Sequence, residues 1–288
     1  MENKSKIKTP LSIRFIGWVF PKLEKISPWI AERWFVRIFF TPIRYKPTPP
    51  EVEMALQANS YQIDFKGKVI QVYEWGEGKP ILMVHGWMGR ATQFRKFVPE
   101  FNKAGYKVVA FDALAHGRSA GKTTSLKGFI DVIKKLQENY RQFEMIIGHS
   151  LGGVAAMHAI LAGISDKLVM VSSPTEAAEI LKEYRTRIGA SERMIPYFNE
   201  KVKSIFSANF EDLAVENNIH KLKNIDLLYI YDTNDREVPV SSAAVIRKGY
   251  KQAIMMITSG NGHNRILKDE KVIQQVVSFL KAPTLAIA

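Results

Sequence analysis

The sequence predicts an α/β fold in which helices flank a mostly parallel central sheet and a small helical cap is inserted. The first observation is a series of short, nearly unbroken apolar runs, each followed by turn residues or a helical stretch. These runs are Ile81–Val84, Val108–Phe111, Met145–Ile147, Leu168–Val171, Leu227–Tyr231 and Ile254–Ile257. The second observation is that helical patterns separate most of them. Strands buried on both faces read as continuous apolar runs, and their alternation with helices is typical of a parallel sheet.

The sheet is predicted to begin with a hairpin, because Tyr61–Phe65 and Lys68–Tyr73 alternate in polarity around the turn Lys66-Gly67. The helices expected between the later strands cover residues 93–103, 126–142, 153–162, 241–250 and 270–280. The connection over residues 175–224 is the longest, and its sequence pattern is typical of helices, so we expect it to cap the sheet. The predicted organisation is therefore an N-terminal helical extension (1–50), a core (51–174 and 225–288) and the cap insert (175–224).

Composition and charge exclude several classes of protein. The 288 residues include no cysteine, which excludes a thiol nucleophile, a thiolate metal site and a disulfide framework. The formal net charge is +13, and residues 1–50 hold ten basic against three acidic side chains. Seven of the thirteen net charges therefore lie in the extension, and the rest of the chain is only mildly basic. No nucleic-acid-binding module is recognisable, so we expect no nucleic-acid partner.

The extension carries three of the five tryptophans of the chain within residues 11–40. Charged side chains interrupt every apolar run, so none reaches the roughly 18–20 residues that a membrane span needs. The pattern predicts amphipathic helices punctuated by Pro21 and Pro28, followed by a proline-rich connector. Their apolar stripe could be covered by the protein's own body, by a second subunit or by a membrane interface, and a cleaved presequence is a fourth alternative. We expect a cytoplasmic location, with peripheral membrane contact through residues 11–40 as one of these alternatives, and the sequence leaves the oligomeric state open.

The strongest chemical signal is the motif Gly148-His149-Ser150-Leu151-Gly152-Gly153, which follows a buried strand and precedes a helix. In that context G-x-S-x-G predicts a sharp turn that projects the serine hydroxyl from the carboxyl end of the sheet. Gly148 and Gly152 are expected because a side chain at either position would collide with the turn. Ser150 is therefore the candidate nucleophile, and serine needs a base to take its proton.

Candidates for the base and its orienting acid follow later strands. Of the six histidines, only His263 lies beyond both Ser150 and the last candidate acid, in a loop after the final apolar strand. The loop after Leu227–Tyr231 offers Asp235 as the favoured acid, with Asp232 and Glu237 as alternatives. A carboxylate in contact with the imidazole would fix its tautomer and orientation.

The order Ser150…Asp235…His263, the motif His85-Gly86-Trp87 after a strand and the segment Asp112–Ser119 together resemble the α/β-hydrolase superfamily over residues 61–281. The resemblance implies that backbone N–H groups of Trp87 and Leu151 form an oxyanion hole. It also implies a catalytic triad that needs no metal and no organic cofactor. His85-Gly86-Trp87 departs from the HGGG motif of some lipases and esterases. His85 and His116 are interpreted as structural residues that fix their glycine-containing turns, and His149 and His158 as packed side chains.

The resulting functional prediction is a carboxylesterase-like serine hydrolase that cleaves an ester of a small or medium apolar acyl group through an acyl-enzyme. Apolar side chains of the insert would either roof an acyl pocket or form the interior of the cap. They are Ile180, Tyr184, Ile188, Met194, Ile195, Tyr197, Phe198, Val202, Ile205 and Phe206. A thioesterase, an acyltransferase or a perhydrolase would use the same triad. A membrane-surface interaction protein on a hydrolase scaffold is the alternative from a different class.

Overall fold

Eight strands form a single sheet at the centre of the computed structural model, which describes residues 11–282. The strands are β1 (Asn59–Phe65), β2 (Lys68–Trp75), β3 (Lys79–Val84), β4 (Tyr106–Phe111), β5 (Met145–His149), β6 (Lys167–Val171), β7 (Asp226–Asp232) and β8 (Ile254–Thr258). Their order across the sheet is β1-β2-β4-β3-β5-β6-β7-β8. The hairpin β1–β2 and the pair β2–β4 are antiparallel, and every later pair is parallel. The predicted α/β fold class is confirmed.

Helices of the α/β unit connect its strands and pack on both faces of the sheet. The described α-helices are α1 (Leu11–Ile26), α2 (Pro28–Phe39), α3 (Pro49–Leu56), α4 (Val98–Lys103), α5 (Leu126–Gln137), α6 (Leu151–Leu161), α7 (Ala177–Ile188), α8 (Ile195–Phe206), α9 (Ser242–Gly249), α10 (Gly262–Arg265) and α11 (Glu270–Lys281). The helix expected over residues 93–103 begins only at Val98, because Pro99 suits a first helical turn and the chain before it forms a short 3₁₀ turn.

Alternate side chains of each central strand enter two different cores. In β5, Ile146 belongs to the core that also contains Phe129 of α5, whereas Met145 and Ile147 belong to the core that contains Val276 of α11. All three strand residues are fully buried. Burial on both faces explains why the strands read as continuous apolar runs instead of alternating ones.

The chain divides into two compact units. The helical unit consists of residues up to Phe40 together with Ala177–Leu213, and the α/β unit contains the remainder. In the helical unit, the ring of Phe35 is fully buried and contacts three other rings. These belong to Phe20, Tyr184 and Phe198, with centroids 6.1, 4.8 and 5.8 Å away. The N-terminal helices α1 and α2 therefore share one core with α7 and α8.

Polar contacts join the same helices. The Tyr184 hydroxyl donates to the carbonyl oxygen of Phe35 at 2.6 Å, and the carboxylate of Glu24 accepts hydrogen bonds from the N–H and hydroxyl of Ser191. Most of the apolar side chains noted in the insert lie in this interior, which is the second of the two roles considered for them. Those buried in the core or packed against it are Tyr184, Ile188, Met194, Ile195, Phe198, Val202 and Phe206. Among the described residues, no helix combines the length and the apolar character that crossing a membrane requires.

Candidate active site

Three of the predicted site residues follow the carboxyl ends of parallel strands. Ser150 comes directly after β5, Asp235 lies three residues after β7, and His263 lies on α10 after β8. Strands β5, β6, β7 and β8 are neighbours that run in parallel, so their carboxyl ends lie along one edge of the sheet. That edge is where open α/β sheets bind their ligands.

Ser150 sits in a strained backbone conformation. Its φ is 53° and its ψ is −124°, a region that side-chain-bearing residues rarely adopt. Holding a residue there costs on the order of 1–3 kcal/mol, which the surrounding structure must supply. A Cβ at Gly148 would lie 2.4 Å from the carbonyl oxygen of Gly152, and one at Gly152 would lie 2.1 Å from that of Val84. The glycines of the motif are therefore required by backbone contacts at the turn.

Asp235 and His263 form a hydrogen-bonded pair. Nδ1 of His263 lies 2.8 Å from Oδ2 of Asp235, and their side chains are 9% and 0% exposed. The other carboxylate oxygen, Oδ1, accepts the backbone N–H groups of Glu237 and Val238 at 2.8 and 3.0 Å. Burial alone would raise the pKa of Asp235, but the hydrogen bond and charge of His263, with the two N–H groups, lower it below its ordinary value. The carboxylate is thus held ionised against Nδ1, which leaves Nε2 as the basic atom of the imidazole.

Asp232, the alternative acid, is occupied by the loop that carries His263. Its Oδ1 accepts the N–H of Asn234 and of Gly262, both at 2.9 Å. Its Oδ2 accepts the hydroxyl of Thr258 at 2.7 Å and the N–H of Asn261 at 3.1 Å. Burial raises the pKa of Asp232, but these four donors outweigh burial and lower it. Asp232 therefore supports the loop, whereas Asp235 contacts the imidazole.

His149 links the nucleophile turn to the His263 loop. Its Nε2 lies 2.9 Å from the carbonyl oxygen of His263, and its Nδ1 lies 3.3 Å from Nε2 of Gln93. Because a carbonyl oxygen only accepts, Nε2 of His149 carries the proton and Nδ1 accepts from Gln93. Burial, followed by the nearby His263, lowers the pKa of His149 to about 3. The ring is therefore neutral and acts as a hydrogen-bonded brace, with its centroid 4.7 Å from that of His263.

The strand β3 leads into the loop that holds Trp87. A Cβ at Gly86 would lie 2.9 Å from Cβ of Ser150, so this loop passes directly beside the serine. The N–H of Met88, a residue with φ of 59°, donates to Nε2 of His116 at 3.0 Å. Among the turn and loop hydrogen bonds of residues 11–282, none uses the N–H of Trp87 or Leu151 as donor. Neither backbone N–H is therefore occupied by one of these hydrogen bonds.

Two further histidines hold this loop in place. Nε2 of His85 accepts the N–H of Ala113 at 3.0 Å, and its Nδ1 donates to the carbonyl oxygen of Gly86 at 2.7 Å. Nδ1 of His116 donates to the carbonyl oxygen of Leu114 at 3.0 Å. Burial lowers the pKa of His85 to about 4 and that of His116 to about 3. Both rings are neutral and structural, as the sequence predicts.

Arg44 supports the segment that carries His116 from the connector after α2. Its guanidinium donates to the carbonyl oxygens of Ala115 at 2.9 Å, Ser119 at 2.6 Å and Gly121 at 2.9 Å. Sequence reasoning missed Arg44 and Gln93, because each acts on a segment more than fifty residues away in the chain. No sequence pattern marks the contact of Arg44. The segment that it binds turns at Ala115, whose φ is 64°, and several of its carbonyl oxygens accept from the same guanidinium.

Comparison with known proteins identifies the family. A model described as the alpha/beta hydrolase family matches residues 81–273, which is more than half of the chain. The chain belongs to the alpha/beta hydrolase family. The human serine hydrolase-like protein is 30% identical in an alignment of length 128, and the alignment covers 39% of this chain and 62% of that protein. The alignment thus spans less than two thirds of the relative's length.

Solved structures of other alpha/beta hydrolases share the fold. The esterase Pf2001 of Pyrococcus furiosus superposes with a TM-score of 0.62 at 23% identity, covering 84% of this chain and 98% of the esterase. A membrane phospholipase A described as a bacterial virulence factor superposes with a TM-score of 0.62 at 16% identity, covering 94% and 96% of the two chains. At these identities the likeness establishes the fold, and function is argued from the site.

Proposed function

We propose that the protein is a serine hydrolase that cleaves a carboxylic ester of a small or medium apolar acyl group through an acyl-enzyme. In this proposal Ser150 is the nucleophile, His263 the general base and Asp235 the acid that orients it. The observation that carries the proposal is the 2.8 Å contact between Asp235 and Nδ1 of His263, at the same sheet edge as the strained serine turn. The esterase and phospholipase among the structural neighbours support ester hydrolysis.

The proposed chemistry follows from the protonation states of the site. Nδ1 of His263 donates to Asp235, so Nε2 takes the proton of Ser150 as Oγ attacks the ester carbonyl carbon. The C–O bond to the alcohol then breaks, and the leaving oxygen receives that proton from Nε2. Water attacks the acyl-enzyme in the same way, releasing the carboxylic acid and restoring the serine hydroxyl.

Backbone donors supply the electrostatic part of the proposed reaction. As the carbonyl carbon becomes tetrahedral, its oxygen acquires negative charge and can accept the N–H groups of Trp87 and Leu151. Each such donor is worth on the order of 3 kcal/mol of barrier. The closeness of Gly86 to the Ser150 side chain supports this pairing, since the loop that bears Trp87 passes beside the serine that precedes Leu151.

The experiment that tests the proposal is labelling by a fluorophosphonate, together with hydrolysis of p-nitrophenyl esters of increasing acyl length. The full chain should be labelled and should release p-nitrophenol, and Ser150→Ala should abolish both. Ser204→Ala is a matched control, because Ser204 is an exposed residue of the helical unit. Full labelling of Ser150→Ala would show that another residue is the nucleophile. A parallel series of thioesters distinguishes an esterase from the thioesterase alternative.

The proposal includes a place of action at the surface of a membrane, with the protein bound peripherally from the cytoplasmic side. Exposed tryptophans on α1 and α2 support this placement. The proposed membrane location rests on this exposed surface and does not depend on the proposed catalytic residues.

A further inference from the structure

In the described part of the helical unit, α1 and α2 each bury one side and leave another side exposed. Phe20, Ala31 and Phe35 point into its core and are at most 1% exposed. On the opposite side Trp18, Trp29 and Trp34 are 63%, 61% and 50% exposed. An exposed cluster of large apolar side chains usually marks an interaction surface, because it remains in contact with water otherwise.

The composition of this face is restricted to two kinds of side chain. Between Ile13 and Phe39 every exposed residue is basic or apolar. These residues, the aromatic-basic face, are Arg14, Phe15, Trp18, Lys22, Lys25, Ile26, Pro28, Trp29, Arg33, Trp34 and Arg37. The two acidic residues of this segment, Glu24 and Glu32, are only half-exposed, and Glu24 is engaged by Ser191. The face therefore presents five positive charges and no exposed carboxylate.

The basic and aromatic side chains are interleaved at the scale of single contacts. Nζ of Lys22 lies 3.2 Å from the ring centroid of Trp18. A shallow, half-open groove of about 330 Å³ on the surface of α2 is lined by Trp29, Ile30, Arg33, Trp34 and Arg37. Guanidinium groups are favoured partners of phosphate oxygens, and indole rings beside them offer apolar contact to the glycerol and upper acyl region of a lipid.

From this arrangement we propose that the aromatic-basic face docks on the surface of an anionic phospholipid bilayer. Tryptophan rings favour the headgroup level of a membrane, and basic side chains are attracted to anionic lipid. The two helices lie in the interface in this arrangement and do not cross it. The aromatic-basic face thus supplies the contact for the peripheral location proposed above.

Charge argues against a second copy of the chain as the occupant. A two-fold dimer through this face would set the same five cations against each other, with no exposed carboxylate between Ile13 and Phe39 to compensate them. A bilayer that contains phosphatidylglycerol has the complementary charge. It is also a continuous surface that can accept all three indoles together.

The experiment is flotation of the full chain with two kinds of vesicle, phosphatidylcholine alone and phosphatidylcholine mixed with phosphatidylglycerol. We expect binding to the mixed vesicles, weaker binding to phosphatidylcholine and release at high salt. Tryptophan emission should shift to shorter wavelength on binding, because the exposed indoles leave water. Failure of the wild-type chain to float with anionic vesicles would overturn the proposal.

Matched charge variants show whether this face is responsible. Arg33→Gln with Arg37→Gln should weaken binding to mixed vesicles by about 30-fold, the loss expected for two basic contacts with anionic lipid. Lys248→Gln with Lys251→Gln removes the same charge from exposed positions of the α/β unit and should bind as the wild type does. Equal binding by the two double variants would overturn the assignment of the face, as would a wild-type dimer that the Arg33/Arg37 variant converts to monomer.

Two readouts separate this inference from the catalytic proposal. The Arg33/Arg37 variant should retain fluorophosphonate labelling and helical circular dichroism, because neither residue belongs to the proposed catalytic site. Ser150→Ala should float with anionic vesicles as the wild type does. Vesicle binding without labelling would contradict the hydrolase proposal alone, and labelling without vesicle binding would contradict the docking proposal alone.

Discussion

The sheet edge of the α/β unit and the N-terminal helices of the helical unit differ in which side chains they expose to solvent. At the sheet edge, polar residues such as His149 and Asp232 are buried and every one of their hydrogen-bonding atoms has a partner. On the helical unit, indoles such as Trp18 and Trp29 are more than half exposed. Buried polar networks fix geometry, as a reaction requires, whereas exposed aromatic side chains suit a partner that arrives from outside.

The largest effect is expected from a comparison of the two aspartates at the sheet edge. Asp235→Asn should lower kcat for ester hydrolysis by about ten-thousandfold, because an amide no longer stabilises the protonated imidazole or fixes its tautomer. Asp232→Asn should lower kcat by no more than about a hundredfold, since it acts only through the position of the loop. Steady-state kinetics of both variants measure this difference. Equal losses would mean that the two carboxylates share one role.

A second comparison concerns the two faces of α2. Phe35→Ala should destabilise the protein by about 3–5 kcal/mol, because it removes a ring that contacts three others in a closed core. Trp34→Ala, on the adjacent exposed position, should change the free energy of unfolding by less than about 0.5 kcal/mol. Urea unfolding followed by circular dichroism measures both values. A large loss from Trp34→Ala would indicate that the exposed face contributes to folding.

The neutral histidines of the sheet edge should make the protein sensitive to acid. The pKa values of His85, His116 and His149 are lowered to about 4, 3 and 3, whereas the unfolded chain protonates them near pH 6.5. Unfolding therefore takes up protons below that pH, and the stability present above it is lost as the pH falls. Each histidine contributes about 1.4 kcal/mol per pH unit to the slope between pH 6 and pH 4.

Removing one of these histidines tests the linkage. His116→Asn should reduce the slope of unfolding free energy against pH by about 1.4 kcal/mol per pH unit. His220→Asn is the matched control, because that side chain is exposed. Urea titrations between pH 4 and pH 7 give the slopes. Parallel slopes for wild type and His116→Asn would indicate that the buried ring is protonated in the folded state.

The smallest effect is expected at the brace between the serine turn and the base. His149→Phe keeps an aromatic ring beside His263 but removes the donor to its carbonyl oxygen. We expect kcat to fall by about tenfold, the value of one hydrogen bond of about 1.4 kcal/mol, with KM within about twofold. Gln93→Leu, which removes the second partner of His149, should act in the same direction and more weakly. An unchanged kcat for His149→Phe would show that the loop holds its position without the brace.

The strands and the main candidates of the sheet edge were predictable because their signals are local. The apolar runs give the strands within two residues at each end, and Gly148 and Gly152 mark a turn whose need for small residues is decided by backbone a few positions away. The order of the candidate nucleophile, acid and base follows from where each strand ends. Asp235 is favoured by the sequence while Asp232 and Glu237 stay open as alternatives, because a shift of three residues after a strand decides which carboxylate reaches the imidazole.

The partner of the N-terminal helices could not be predicted, because it lies more than a hundred residues later in the chain. The apolar stripe of α2 shows that Phe35 must be covered. The protein's own body, a second subunit and a membrane interface are all consistent with such a stripe. Only the structure identifies α7 and α8 as that covering. The brace of His149 is similar, since its acceptor lies 114 residues away and is a backbone atom that leaves no mark in the sequence.

The guanidinium of Arg44 ties the connector after α2 to the α/β unit, which matters for any shortened version of the chain. A protein that starts after Phe40 would lose the helices that close the core around Phe35, but it would keep this side chain and with it all four carbonyl contacts that support the segment up to Gly121. One that starts after Pro50 would lose it. The proline-rich stretch is therefore bound to the α/β unit through Arg44, so a truncation within it damages that unit as well as the helical unit.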